Sequence, residues 1–275
     1  MTNYHQQGVE AALHTLRMPG ALQAYASCLR EAEAAHQGYA AFLEAVLTQE
    51  VENRRQHQVA HHHRDAHFPL VKTLAAFDFS LRPALNRLTV LQMATGDWVL
   101  AKENCLILGN SGTGKSHLAM ALGLATVEAG LRVRFTTALA LSQDLLAAQA
   151  DHHLLARFKW WQRYALVIVD ELGYLPLPRD QAQMLFQFFA ERYERSAVLI
   201  TSNLEFGRWG EVFGDPTMTT ALLDRLTHHA HVLSLTGDSY RFREAQARHA
   251  APQKPVDYLG THPTHTPPTP EEVSP

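Results

Sequence analysis

The stretch LILGNSGTGKSHLA, Leu106–Ala119, sets Gly109, Asn110, Ser111, Gly112, Thr113, Gly114, Lys115, Ser116 and His117 between two apolar runs. From Gly109 to Ser116 it fits G-x-x-x-x-G-K-S. Glycines let a backbone curl until successive N–H groups point at phosphate oxygens. A lysine at this spacing reaches the β- and γ-phosphates, and the serine offers its hydroxyl to Mg²⁺. A helix that starts there adds the positive end of its dipole. The loop needs a strand before it and a helix after it. NCLILG (104–109) and the apolar run after Ser116 supply them.

Four further β-branched runs follow: RVRFTT (132–137), ALVIVDE (165–171), AVLITSN (197–203) and HVLSLTG (231–237). Helical stretches separate most of them. In DQAQMLFQFFAERYER, Met184, Leu185, Phe188, Phe189 and Arg192 share one face, which reads as core packing. Apolar strands alternating with helices predict an α/β fold with a five-stranded parallel sheet covered on both faces.

Asp170 closes the apolar run ALVIVDE, where a carboxylate reaches a nucleotide-bound Mg²⁺. Glu171 follows and is a candidate to orient or deprotonate an attacking water. The plainer alternative is an acidic pair at a strand end. Such a pair points to ATPases that activate water and away from nucleotide kinases. DELG matches the D-x-x-G of GTPases, but the chain has no Asn-Lys-x-Asp to read guanine. Asn203 ends LITSN, in a strand expected beside that of Asp170. An amide there can touch the γ-phosphate and the water, though asparagine is also ordinary turn chemistry. Arg225, in LLDRLTHHAHVL, belongs to an expected helix before the last strand. It is a candidate to stabilise transition-state charge in a neighbouring subunit; pairing with Asp224 or solvation is the alternative.

The chain has 275 residues, 46% hydrophobic, enough for a packed core. Three regions are expected: a helical domain over 1–67, an ATPase domain over 68–248, and a disordered proline-rich tail over 249–275. In the first, Tyr39, Phe42, Leu43, Val46 and Leu47 recur at helical spacing, and Pro19-Gly20 punctuates an earlier pair of helices. Cys28 and Cys105 cannot form a disulfide framework. Cys105 reads as a buried free thiol, and a reducing cytoplasm is the expected compartment. No run of about 18 apolar residues predicts a membrane span, and no signal-peptide core is seen.

A net charge of −3 identifies no partner class. Within 1–67 the acidic residues outnumber the arginines, so composition alone does not mark DNA binding. Arg54, Arg55, His57, His61, His62, His63 and Arg64 cluster late in one helix, as a phosphate-binding face or a solvated one. His57 and His61 have a zinc-like i, i+4 spacing, but no carboxylate or cysteine completes a set. His228, His229 and His231 read as surface or interface residues.

The ordered series GNSGTGKSHLAMALG, VDELGYLP, RYERSAVLITSN, WGEVFGDP, ALLDRLTHHAHVL and GDSYRFR resembles the IstB-like ATP-binding proteins. LTQEVENR and DAHFPLVKTLAAFDF extend the resemblance, which covers roughly residues 9–245. These are transposition helpers encoded by insertion sequences, AAA+ ATPases close to the DnaC type of helicase loader. The resemblance implies an AAA+ core preceded by a small all-α domain. It implies ATP- and Mg²⁺-dependent homo-oligomerisation on duplex DNA, selection or deformation of target DNA, and stimulation of a cognate transposase. By motif position it assigns Lys115, Ser116, Asp170, Glu171 and Asn203 to ATP, Arg225 as an arginine finger and Arg241 in GDSYR as a second phosphate sensor. Phe68 and Pro69 are expected near adenine. Asn110-Ser111 stands where two prolines are common, and Ser116 replaces the usual threonine, keeping the hydroxyl. After Gly237 there is no room for a helical lid. A helicase loader would share every ATP motif. A small-molecule kinase is disfavoured by Glu171 with Asn203 and by the missing lid.

Overall fold

The computed structural model describes residues 2–237 together with Ser239 and Tyr240; Arg241 and the tail 249–275 lie outside the described residues. Three helices come first: α1 (Thr2–Thr15), α2 (Pro19–Ala34) and α3 (Tyr39–Ala66). Short α4 (Arg87–Met93) and α5 (Asp97–Leu100) lead into β1 (Asn104–Gly109) and α6 (Lys115–Glu128). Then come β2 (Val133–Thr137), α7 (Ala138–Ala150), α8 (Leu154–Trp161), β3 (Leu166–Leu172) and α9 (Arg179–Arg192). The series ends with β4 (Ala197–Ser202), α10 (Gly210–Phe213), α11 (Pro216–Thr227) and β5 (Ala230–Leu235).

The five strands form one sheet in the order β2-β3-β4-β1-β5, every pairing parallel, as the apolar runs predict. Successive side chains of a strand point to opposite faces. Leu106 and Leu108 of β1 join Val167, Val169, Val198 and Ile200 under α7–α11. Cys105 and Ile107 join Leu166, Ile168, Leu199 and Leu233 under α6 and the 77–99 segment. Both faces of the central strands β1, β3 and β4 are therefore dry, and these strands are apolar nearly throughout, while the edge strands β2 and β5 are partly exposed. Cys105 is a buried free thiol, and burial pushes its pKa up.

The α9 stripe Met184, Leu185, Phe188, Phe189 and Arg192 is buried. Arg192 donates to the carbonyls of Trp161, Tyr164 and Ala197, each at 3.0 Å. Burial pushes its pKa down to about 9. It ties the chain entering β3 to the start of β4.

The N-terminal helices have their own small core of Leu13, Ala21, Tyr25 and Val46, with Phe42 packed against it. Glu50 is buried, and its carboxylate caps α2 by accepting from the N–H groups of Gly20 (2.8 Å) and Ala21 (3.1 Å). Another apolar face in the first half of α3 stays uncovered. Tyr39, Leu43, Leu47 and Val51 form an exposed ridge at i, i+4 spacing.

The far half of α3 packs elsewhere. Val59 and Ala66 join the core of the sheet. Asp65 accepts from Arg132 at 2.7 Å and from the Tyr164 hydroxyl at 3.1 Å. One helix thus serves two cores. The expected basic face is also narrower than its sequence: His62 is buried, and Arg54 and Arg55 pair with Glu50 (2.6 Å) and Glu52 (2.9 Å). His57, His61 and Arg64 remain exposed. Among the described residues no helix is long and apolar enough to cross a membrane.

Candidate nucleotide site

β1 ends at Gly109, whose φ is 149°; a Cβ there would stand 2.1 Å from the Leu235 carbonyl oxygen. Only glycine lets β1 leave β5 along this path. The loop then turns through Gly114 (φ 98°) directly into α6. The Thr113 hydroxyl closes the loop by donating to the Asn110 carbonyl at 2.8 Å. Arg82, itself buried, braces it from outside by donating from Nε to the Thr113 carbonyl at 2.8 Å. Lys115 Nζ donates to the carbonyls of Gly109 and Asn110, both at 2.8 Å. Its ammonium is held across the loop.

Asp170 is buried, and its Oδ1 accepts from the hydroxyls of Ser116 (3.0 Å) and Thr201. The Thr201 hydroxyl also accepts the Glu171 N–H at 3.0 Å. Residues from α6, β3 and β4 thus meet at the C-terminal edge of the sheet. The β3–β4 pairing breaks register between Val169 and Leu172. Within that bulge Glu171 has a φ of 63°, uncommon for a residue with a Cβ. The bulge leaves the Glu171 side chain exposed while its neighbours Asp170 and Leu172 are buried. Backbone strain of this kind costs about 1–3 kcal/mol and concentrates where function needs a side chain re-aimed.

Asn203 stands just past β4, the strand beside that of Asp170. Its Oδ1 is buried and has no hydrogen-bond partner. An orphaned buried acceptor costs about 1–3 kcal/mol, so it fits a donor brought by a ligand or a water. The Ser116 hydroxyl and the Asp170 carboxylate are hard oxygen donors, a set that fits Mg²⁺.

His117, on the first turn of α6, has Nε2 at 3.0 Å from the Thr73 carbonyl and its ring 5.3 Å from that of Phe77. Phe77 lies 3.2 Å from where a Cβ on Gly114 would be. The segment 73–82 therefore walls the loop. Phe68, expected near adenine with Pro69, packs on Gly123 and Phe135. That is about 12 Å along α6 from Lys115, while Phe77 lies beside the loop.

Sequence reading missed Thr73, Phe77, Arg82 and Thr201. A signal existed for Thr201 alone: it is two residues before Asn203, so a strand puts both on one side. Arg225 is not brought to the site. Its guanidinium rests on the Phe186 ring at 5.5 Å, in a cleft with Asn104 and Val198, the N-terminal ends of β1 and β4. The phosphate loop is at the opposite strand ends. Arg241 lies outside the described residues. Tyr240 before it donates its N–H to the Gly112 carbonyl at 2.9 Å.

The sequence profile of the IstB-like ATP binding protein family matches residues 11–248. The insertion sequence IS21 ATP-binding protein of Pseudomonas aeruginosa is 38% identical over 236 residues, 86% of this chain and 89% of that protein. An insertion sequence ATP-binding protein of Sinorhizobium fredii is 35% identical over 266 residues, 95% of this chain and 89% of that protein. Among solved structures, AMPPCP-bound DnaA from Aquifex aeolicus shares the fold, with a TM-score of 0.52 at 18% identity over 66% of this chain and 55% of that one. With a family match that spans most of its length and an intact phosphate loop, the chain belongs to the IstB-like ATP-binding protein family and is an ATPase on the AAA+ P-loop fold.

Proposed function

We propose that this protein is an ATP-driven transposition helper that oligomerises on duplex DNA, selects or deforms target DNA and stimulates a partner transposase. One observation carries the reading. Lys115, Ser116, Asp170, Glu171 and the orphaned Asn203 amide gather at one sheet edge, in a chain whose relatives are insertion-sequence ATP-binding proteins.

The backbone of Gly109, Asn110, Ser111, Gly112, Thr113 and Gly114 would cradle the phosphates, with His117 beside them on the first turn of α6. Lys115 exchanges its loop carbonyls for phosphate oxygens. Ser116 and Asp170 would hold Mg²⁺, which supplies positive charge to the phosphate oxygens when bound. Glu171 takes a proton from the attacking water, and Asn203 Oδ1 accepts that water's other hydrogen. Arg225 acts on a neighbouring subunit's nucleotide, and Arg241 senses phosphate. Residues 1–67 contact DNA or partner, a role supported by the exposed ridge Tyr39–Val51 and the outward His57, His61 and Arg64.

The test is duplex DNA binding with ATP, with ADP and without nucleotide, read together with particle size. ATP should yield large DNA-bound particles and ADP should not. Lys115→Ala should lose ATP binding and assembly together; retained micromolar affinity would remove the phosphate-loop assignment. Absence of duplex binding under ATP would overturn the helper reading and leave a helicase loader, whose ATP site is the same.

A further inference from the structure

Three metal-ligating side chains converge where α9 and α11 end. Glu194 follows α9, and His228 and His229 follow α11. One carboxylate oxygen and one nitrogen from each imidazole lie within 4.8 Å of one another. Among the described residues no other group of three or more His, Cys, Asp or Glu gathers in this way, although the chain has 17 histidines. All three side chains are exposed, so a cation can enter with its own waters.

The surroundings are organised as well. Glu194 holds a left-handed backbone with φ 58°, which costs about 1–2 kcal/mol for a residue with a Cβ. Tyr193 Oη is 3.0 Å from His228 Nδ1. With Nδ1–H donating to the phenol oxygen, the His228 Nε2 lone pair is left for a cation. Metal-ligating histidines use this kind of outer-shell support, one ring nitrogen fixed and the other coordinating.

We propose that Glu194, His228 and His229 bind a zinc-class divalent cation that joins the end of α9 to the end of α11. Two imidazoles and one carboxylate, with water in the fourth position, form a common open zinc set. The mixed nitrogen and oxygen donors select against Mg²⁺ and Ca²⁺, which take oxygen. Ligands at zinc distances stand about 3.3–3.6 Å apart on a tetrahedron. Small side-chain rotations close the present spacing to that value. Arg225 is one helical turn before His228, so an occupied site also holds the end of α11 that presents Arg225. This consequence rests on the trans role given to Arg225; the cation site does not.

The experiment uses the untagged full chain and ZnCl₂ titrated by calorimetry, with Co²⁺ absorption as a second readout. The wild type should bind zinc with a Kd below about 10 μM and show a Co²⁺ ligand-field band. Glu194→Ala/His228→Ala/His229→Ala should lose about one equivalent and the band, while His57→Ala/His61→Ala keeps both. Glu194→Gln keeps the shape of the side chain and removes its charge; it should weaken binding at least about tenfold with an unchanged metal-free melting temperature. Wild-type stoichiometry and affinity in the triple variant, or no zinc binding by the wild type below about 100 μM, would overturn the site.

Discussion

The Thr201 hydroxyl stands between the two acidic residues of β3, donating to Asp170 Oδ1 and accepting the Glu171 N–H at 3.0 Å. A single group therefore sets both the buried carboxylate and the bulge that aims the exposed one. Valine has nearly the same shape, so Thr201→Val removes these two bonds and keeps the packing of a fully buried position. The loss leaves the Glu171 N–H without its partner, at about 1–3 kcal/mol. The ATPase kcat should fall about tenfold or more, because a carboxylate that is no longer held in place aims poorly at the attacking water. ATP affinity depends on the loop and on Lys115, and should stay within about threefold. Thr201→Ser should restore the rate. A Thr201→Val protein with wild-type kcat would show that Thr201 positions nothing.

Helix α3 carries the same logic to the element scale. Its first half packs on α2 through Phe42, Val46 and Glu50, and its second half on the sheet through Val59 and Ala66. Asp65 fastens the second half. Its burial opposes ionisation, but hydrogen bonds from Arg132 and Tyr164 and the charges of Arg132 and Arg134 win, holding its pKa below the usual 3.8. A folded-state pKa below the unfolded one stabilises above the unfolded value and is lost as pH falls through the folded one. Asp65→Asn should therefore lower the urea midpoint at pH 7 by an amount worth about 1 kcal/mol. The gap from wild type should close as the pH falls below 3.8; a gap that does not change with pH would take the docking role from Asp65. This division of labour also explains what the sequence could show. The central strands are legible because both of their faces are buried, and the loop because its spacing is chemically constrained. The two faces of α3 serve different partners, so no single apolar stripe runs its length, and the burial of His62 was hidden. The placement of Phe77 at the loop depends on the path of the 67–86 connection, which has no periodicity to read.

For the whole molecule, the decisive fact is that the nucleotide groups and Arg225 occupy opposite ends of the sheet. Arg225 shares its cleft with Asn104 and Val198, where β1 and β4 begin, while Lys115 and Asp170 stand where β1 and β3 end. Six residues of strand, Asn104–Gly109, span about 20 Å. Arg225 cannot reach the nucleotide of its own subunit. In the proposed head-to-tail assembly it would act on the nucleotide of the next one. Two inactive variants should then complement each other. Glu171→Gln keeps Arg225 and ATP binding but should hydrolyse about 10²–10⁴-fold more slowly. Arg225→Ala keeps Glu171 but loses a charge worth about 10³–10⁵ in rate. Mixed in equal amounts, they create sites in which an Arg225→Ala subunit holds the nucleotide and a Glu171→Gln neighbour supplies the arginine. Random assembly makes about a quarter of all sites competent in this way. ATPase activity should therefore rise from near background to about a quarter of wild type at concentrations that support assembly, and should vanish on dilution. A mixture no more active than its two components would mean that Arg225 does not act between subunits, and that its contact with Phe186 is its whole role.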